Sequence, residues 1–357
     1  MSDTPEQPNQ LTSNQESPGD GTRRTFLRRA LAGGVAIVGA PYIVTRRSYA
    51  AGSLRTIHFS EAVHNLGYID LYVARAKGFF QEQGIDLQLS AAGGDTQAFA
   101  SVLGKSAEFG CGDATLCEIS LEKGGPGVVL GELVSRAHYF GVSKKLTKMI
   151  TDPKHFKGLT FVTSPPPNTN YNVLVLALKS AGLDPDKDVK ILTVNPGTEI
   201  GPVLAGQADI AVAYEPNVDT AVVGQGAHVV FSWSKFMGPF HNTGMYALPE
   251  FVHANRHIVQ GMANALQKGA LHTYKYPHET KAVARKEFPD LDPKIVDAAI
   301  QRQLDNGVPA RTFVVSKKGW ENLMRVGAGL GNCSCDLPFH KVVDNSFAEH
   351  AAAHVKL

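Results

Sequence analysis

Residues 56–89 read TIHFSEAVHNLGYIDLYVARAKGFFQEQGIDLQL, and this stretch predicts the fold of the chain. Residues 56–59 and residues 85–89 have the short apolar patterns of strands. Between them, apolar side chains from Tyr68 to Gln83 recur at helical spacing, and Gly84 suits the position after a helix end. A strand, a helix and a second strand in this order predict a mainly parallel sheet covered by helices.

The same pattern continues and then occurs a second time. The further predicted strands span residues 107–111, 159–163, 189–194 and 208–214, and the helices between them span residues 96–103, 170–181 and 199–205, with another helix from about Ala114. Residues 102–110 (VLGKSAEFG) resemble residues 203–211 (VLAGQADIA). One helix-to-strand unit is therefore predicted in two α/β lobes.

The pattern becomes helical after Gly244. The predicted helices span residues 255–276, 278–288, 293–304 and 316–328. Asp292 before Pro293 is a typical helix start. We expect this tail to pack on the first lobe, so that lobe I comprises residues 51–142 and 245–357 and lobe II residues 143–244. Two chain crossings then form a two-strand hinge beside a cleft.

The first fifty residues are predicted to be an export signal. Arg23 and Arg24 precede an apolar run at residues 30–44, and small residues end the segment at Ala50. The adjacent arginines indicate the twin-arginine type, and the run is shorter than the roughly 20 residues a membrane helix needs. The mature protein is therefore predicted in the periplasm, with cleavage after Ala50 left open.

Composition and motifs argue against several classes of function. Six of the 35 basic and four of the 33 acidic residues lie within residues 1–50, so residues 51–357 are formally neutral. A neutral chain lacks the excess of basic residues that is typical of nucleic-acid-binding proteins. We find no catalytic or metal-ligand constellation, and no cofactor is predicted, although folded export permits one. Cys333-x-Cys335 favours a structural role or a disulfide over a metal site, while the pairing of the four cysteines stays open.

Polar residues cluster where the predicted strands end, which is where ligands collect in open α/β sheets. In the first lobe these are His64, Asn65, Tyr68, Gly94, Asp95, Thr96, Asp113 and Thr115, and in the second Ser164, Asn168, Thr169, Asn170, Thr198 and Glu215, with Arg136 near the hinge. Asp95, Thr96, Thr115 and Asn170 are equally suited to capping helices. His64 and Tyr68 are alternatively ordinary loop residues, and Glu215 could pair with Arg136.

An ordered set of stretches resembles the SsuA-like family of ABC-transporter binding proteins for sulfonates, taurine, nitrate and thiamine precursors. The stretches are Gly67-Tyr68, residues 71–80, residues 84–86, residues 156–158, residues 164–166, residues 181–185, residues 206–209 and Tyr214-Glu215-Pro216. The resemblance covers roughly residues 55–325. It implies a type II periplasmic binding-protein fold that closes on a small solute and delivers it to a permease and an ATPase.

We therefore predict a monomeric, non-enzymatic solute-binding subunit of an ABC importer. The ligand classes left open are sulfonate, nitrate, pyrimidine and aromatic carboxylate. Asp113 stands where many sulfonate-binding members have a small residue, and the acids among the candidates favour a ligand with an N–H or hydroxyl donor. The alternatives are an exported enzyme and a binding protein that feeds a sensor.

Overall fold

The computed structural model describes residues 54–166 and 168–357, and the predicted export signal lies outside the described residues. Two five-stranded sheets form the framework of this part of the chain. The first sheet has the order β2 (Ile85–Ala91), β1 (Arg55–Glu61), β3 (Phe109–Gly112), β10 (Pro239–Ala247) and β4 (Val128–Arg136). The second has the order β7 (Lys190–Thr193), β6 (Thr160–Thr163), β8 (Ile210–Ala213), β5 (Phe140–Ser143) and β9 (His228–Ser232).

The two sheets have the same topology. In each, the first three strands in the order of the sheet are parallel, and the fourth position is taken by an antiparallel strand that has crossed from the other sheet. The chain crosses from the edge strand β4 into β5, and it returns from the edge strand β9 into β10. The repeated unit predicted from sequence corresponds to this repeated topology.

Helices cover both sheets. They are α1 (Ile69–Ala76), α2 (Asp95–Leu103), α3 (Thr115–Glu122), α4 (Thr169–Ser180), α5 (Ile200–Leu204), α6 (Asn217–Gln225), α7 (Trp233–Met237), α8 (Pro249–Ala254), α9 (Arg256–Lys275), α10 (Pro277–Glu287), α11 (Pro293–Asp305), α12 (Lys317–Gly329), α13 (Phe339–Val342) and α14 (Ser346–His354). Short 3-10 turns occupy Leu66–Tyr68, Gln81–Gln83 and Pro153–Phe156. None of the described helices has the length and apolarity that a membrane span requires.

The predicted α/β class is confirmed, and the local predictions differ from the structure mainly at element ends. The helix predicted at residues 68–83 is interrupted after α1 and resumes as a 3-10 turn, which Gly84 ends with φ 73°. Asp292 caps α11 as expected, since its carboxylate accepts a hydrogen bond from the Lys294 amide. The predicted lobe boundaries fall inside β5 and β10, and the assignment of residues to lobes stays a prediction.

The C-terminal helices pack mainly against the first sheet but also contact the second. Helix α9 lies against α1 and β2, and α14 packs on α9. Helix α11 reaches α6, and α12 contacts both β10 and α4. The tail is therefore a second connection between the parts built on the two sheets, in addition to the two strand crossings.

The core of the second sheet is aromatic. Trp233 is fully buried, with its ring centroid 4.7 Å from that of Phe231, and Phe156 stacks edge-on against both Phe231 and Phe161. The Trp233 indole donates to the Val173 carbonyl oxygen at 3.0 Å, so that its polar atom is satisfied. Cys111 and Cys117 are buried as free thiols, while Cys333 and Cys335 form a disulfide.

Helix α1 carries a buried acid into its contact with α9. Asp70 is 2 % exposed, and neither carboxylate oxygen has a well-formed hydrogen bond within the described residues. Gly269 of α9 lies so close that a Cβ there would come within 2.4 Å of the Asp70 carbonyl oxygen. Burial raises the pKa of Asp70 to about 8, and the Thr273 hydroxyl offsets this in part.

We predict that Asp70→Asn stabilises the protein increasingly from pH 5 to pH 8. The folded pKa lies above the value of about 3.9 in the unfolded chain, so the native state binds the extra proton and its stability falls as pH rises through this window. Asparagine does not titrate, so the stability of the variant does not fall in this way. Its free energy of unfolding in urea titrations should exceed that of the natural protein by about 1–3 kcal/mol at pH 8. The exposed Asp290→Asn is the control, and a pH-independent difference would contradict the prediction.

Candidate functional site

A small cavity lies between the two sheets, at the carboxyl ends of their parallel strands. Its volume is about 50 Å³. The residues around it follow β1, β2, β6, β7 and β8 or belong to the chain crossings. They are Ala62, Val63, Asn65, Tyr68, Gly94, Asp95, His138, Tyr139, Ser164, Asn168, Asn170, Pro196, Tyr214, Asn242 and Thr243. We call this space the inner cavity.

A wider and more open space adjoins the inner cavity. It measures about 480 Å³ and shares Gly94, Asp95, Asn168 and Pro196 with the inner cavity. Thr96, Asp113 and Thr115 line it together with Leu116, Ile119, Lys123 and Asn332. We call it the outer chamber. A ligand head group in the inner cavity could therefore extend towards solvent through the outer chamber.

The chain crossings supply side chains that the sequence analysis did not select. His138 and Tyr139 lie between β4 and β5, and Asn242 and Thr243 lie in β10. The ring centroids of His138 and Tyr139 are 4.8 Å apart, and that of Tyr214 is 5.7 Å from His138. Their position in the sequence could have indicated them, because His138 and Tyr139 lie just before the predicted crossing at residue 142, beside the cleft.

His138 is held as a neutral imidazole. It is 6 % exposed, and its Nδ1 has no hydrogen-bond partner among the described residues. Burial lowers the pKa of His138 to about 4. The ring therefore contributes an uncharged aromatic surface at neutral pH.

Two carboxylates of the first sheet meet at the boundary between the two spaces. Asp95 Oδ1 accepts a hydrogen bond from the Asp113 amide at 2.8 Å, and burial followed by the Asp113 carboxylate raises the pKa of Asp95 to about 6. Asp113 Oδ1 accepts from the amide and the hydroxyl of Thr115. Asp113 therefore accepts from the first amide of α3, whereas the Thr115 hydroxyl donates to Asp113 and does not cap the helix.

One hydrogen bond joins these acids to the second sheet. The hydroxyl of Thr169, in the first turn of α4, donates to Asp113 Oδ2 at 2.8 Å. Thr169 and Asp113 are 5 % and 9 % exposed. The bond is thus largely shielded from water, and it holds the two sides of the cleft together.

On the side of the second sheet, Ser164 and Asn170 line the inner cavity and form a hydrogen-bonded trio with Glu199 behind them. Ser164 Oγ donates to Glu199 Oε1 at 2.7 Å, and Asn170 Nδ2 donates to Ser164 Oγ at 2.9 Å. Asn170 Nδ2 is also 3.3 Å from Glu199 Oε1, and Asn170 Oδ1 accepts from the Tyr171 amide. Glu199 was not predicted, because a single glutamate in a polar loop carries no pattern.

Four of the predicted site residues lie away from both spaces. His64 bonds to Glu61 and stacks on Phe288, with ring centroids 4.6 Å apart. Arg136 donates to the Ser135 carbonyl, and the Thr198 hydroxyl donates to the Asn195 carbonyl. The structure therefore does not bring these three side chains to the cleft.

The fourth, Glu215, belongs to a buried ion cluster. It is 2 % exposed, and its carboxylate accepts from Arg302 Nε at 3.1 Å and from the Asp219 amide. Arg302 also donates to both Asp219 oxygens, at 3.1 and 2.6 Å. The partner of Glu215 is thus Arg302 of α11, and not Arg136 as considered from sequence.

The other predicted residues line one or both spaces or, in the case of Thr169, join their walls. Within the described residues, no group of three or more histidine, cysteine, aspartate and glutamate side chains is placed to hold a metal ion. The lining of the inner cavity combines aromatic rings with hydrogen-bonding groups, as small-solute sites do.

Comparison with known sequences identifies one family and one relative. The family description "NMT1/THI5 like" matches residues 65–280. YtlA of Bacillus subtilis strain 168, whose name describes it as a candidate binding protein, is 23 % identical over 310 residues, covering 83 % of this chain and 90 % of YtlA.

Comparison with solved structures shows the same fold in transport proteins and in an enzyme. The alkanesulfonate-binding protein SsuA of Xanthomonas axonopodis pv. citri has a TM-score of 0.65 and 13 % identity, covering 83 % of this chain and all of SsuA. The periplasmic nitrate-binding protein NrtA of Synechocystis has a TM-score of 0.67 and 14 % identity, covering 84 % of this chain and 89 % of NrtA. The desulfurization enzyme DSZB has a TM-score of 0.61 and 13 % identity, covering 84 % of this chain and 99 % of DSZB. The type II binding-protein fold is confirmed.

We predict that Thr169→Val weakens the closed arrangement of the two sheets. Valine keeps the shape of the side chain but leaves Asp113 Oδ2 without its partner, which should cost about 1–2 kcal/mol. Urea titration measures the loss, and small-angle scattering should show a larger radius of gyration. Thr169→Ser keeps the hydroxyl and is the control. Equal stability and size of Thr169→Val and the natural protein would contradict the prediction.

Proposed function

The chain belongs to the NMT1/THI5-like family, and on that premise we propose that it is the periplasmic solute-binding subunit of an ABC importer. It captures a small organic solute in the inner cavity and presents the closed complex to a permease and its ATPase. The observation that carries the proposal is the cavity itself, whose walls come from both sheets and from both chain crossings.

The position of the cavity supports capture by closure. A solute that contacts Asp95 on one side and Ser164 on the other favours the closed state, because only that state offers both contacts. The two crossings are the natural place for the motion, because they are where the chain passes from one sheet to the other. A permease can then distinguish the loaded protein by its shape.

The lining favours a planar solute with nitrogen-bound hydrogens among the ligand classes considered from sequence. The residues that line the inner cavity include one carboxylate and neither lysine nor arginine. A sulfonate, nitrate or carboxylate would therefore meet no opposite charge in that space. Tyr139, Tyr214 and His138 supply ring surfaces, which suit a pyrimidine-like heterocycle.

Export and assembly follow from the same proposal. The arginine pair and apolar run within residues 1–50 direct export by the twin-arginine route, and the mature protein works as a monomer. Its formally neutral mature surface favours neither nucleic acid nor a membrane as partner.

The test is scanning fluorimetry of residues 51–357 against sulfonates, nitrate, pyrimidines and aromatic carboxylates, after native mass spectrometry has excluded a retained ligand. A solute at a hundred times its Kd should add about 2.7 kcal/mol of stability. Tyr214→Ala should abolish the response, because it removes a ring from the cavity wall, whereas Tyr276→Ala, 38 % exposed on the surface, should not.

Two outcomes would count against this proposal. Release of a chemically changed product from a responding solute would indicate an enzyme on this fold, as DSZB is. A response that survives in Tyr214→Ala would place binding outside the inner cavity. Loss of solute uptake on deletion of the gene, restored by the natural protein, would establish the importer role.

A further inference from the structure

Glu199 lies directly behind the second-sheet wall of the inner cavity. It is fully buried in the loop before α5. Its Oε1 accepts three hydrogen bonds, from Ser164 Oγ at 2.7 Å, the Gly197 amide at 3.2 Å and Asn170 Nδ2 at 3.3 Å. Its Oε2 is buried with no partner among the described residues.

This arrangement determines the direction of the Ser164 hydrogen bond. A hydroxyl has one hydrogen to donate and two lone pairs. Glu199 Oε1 takes the hydrogen, and Asn170 donates to one lone pair. The second lone pair remains for the inner cavity, so Ser164 acts there as an acceptor. Burial raises the pKa of Glu199, yet a proton on Oε2 would leave Oε1 an acceptor as before.

The four asparagines that line the inner cavity carry both donors and an acceptor, because an amide nitrogen has two hydrogens and the amide oxygen accepts. Each amide nitrogen donates to a protein oxygen, namely Asn65 to Val63, Asn168 to Pro165, Asn170 to Ser164 and Asn242 to Thr243. Asn242 Oδ1 is buried without a partner in the part of the chain that the structure describes. Asn242 Oδ1 and the Asp95 carboxylate thus add acceptors to the one that Ser164 offers. The tyrosine hydroxyls can either donate or accept a hydrogen bond.

We propose that Glu199 is a specificity-determining residue, which makes the Ser164 wall a hydrogen-bond acceptor and so selects solutes with N–H donors over oxyanions of similar shape. The inference rests on the proposed function and names its ligand class, an amidine- or aminoheterocycle-like solute. Glu199 is a positioning residue, because it acts through Ser164 and Asn170 and does not itself line the cavity.

The test compares three probes that share a ring, benzamidine, benzamide and benzenesulfonate. Ligand-observed NMR, which detects millimolar binding, gives the Kd of each for the natural protein, Glu199→Gln, Glu199→Leu and Ser164→Ala. We expect benzamidine to bind at least tenfold more tightly than benzenesulfonate. Glu199→Leu and Ser164→Ala should each reduce this ratio about tenfold, the equivalent of one hydrogen bond.

Glu199→Gln is the conservative variant, because its amide oxygen can take the place of Oε1, and it should keep the ratio. Thr198→Ala, next to Glu199 but exposed and outside the cavity, should keep it too. If Glu199→Leu does not fold, Ser164→Ala and Glu199→Gln still decide the question. An unchanged ratio in Ser164→Ala would overturn the proposal.

The outcomes also separate this inference from the proposed function. Tighter binding of benzenesulfonate than of benzamidine would overturn the inference while leaving a solute receptor in place. Failure of every probe to bind would likewise overturn the inference, and the solute panel then decides separately whether the protein is a receptor.

Discussion

The two chain crossings are the constraint on which the rest of the structure depends. Each crossing strand is inserted beside the third parallel strand of the sheet that it enters, so neither sheet is complete without the other half of the chain. This insertion turns the carboxyl ends of both sets of parallel strands towards the same space. The polar loops after β1, β2, β6, β7 and β8 therefore face each other across one cavity.

Burial of polar groups then decides which side chains remain available to a ligand. Asp113 and Glu199 are both buried carboxylates near the cleft, but Asp113 uses its two oxygens in bonds to Thr115 and Thr169, whereas Glu199 uses only one. Buried polar groups that pair with each other lose little by leaving water, while an unpaired acceptor stays costly. These bonds therefore determine which groups of the cavity wall can accept a hydrogen bond from a ligand, in addition to the shape of the wall.

The ion cluster of Glu215, Asp219 and Arg302 links the second sheet to the C-terminal helices. It joins α6 to α11 of the C-terminal tail, at a place where the tail leaves the first sheet. Breaking such a buried cluster by removing one partner is far more costly than its net contribution to stability. A carboxylate at the end of β8 was expected to face a ligand, and its long-range partner, 87 residues later, explains why it does not.

Local periodicity was sufficient to predict the α/β class, the repeated unit and most helices of the tail, because those patterns reflect which face of each element is buried. It missed β4, β5, β9 and β10, of which β4, β5 and β10 are largely buried on both faces and show little alternation. Asn65, Tyr68, Asp95, Ser164 and Asn170 were identified because strand ends are visible in sequence. His138, Tyr139 and Asn242 were not, because they lie in or beside the crossing strands. Glu199 was not, because its bonds to Ser164 and Asn170 join residues about 30 positions apart in the chain. The sequence by itself thus determined the elements and their order, while tertiary packing decided which polar side chains pair with each other and which are left for a ligand.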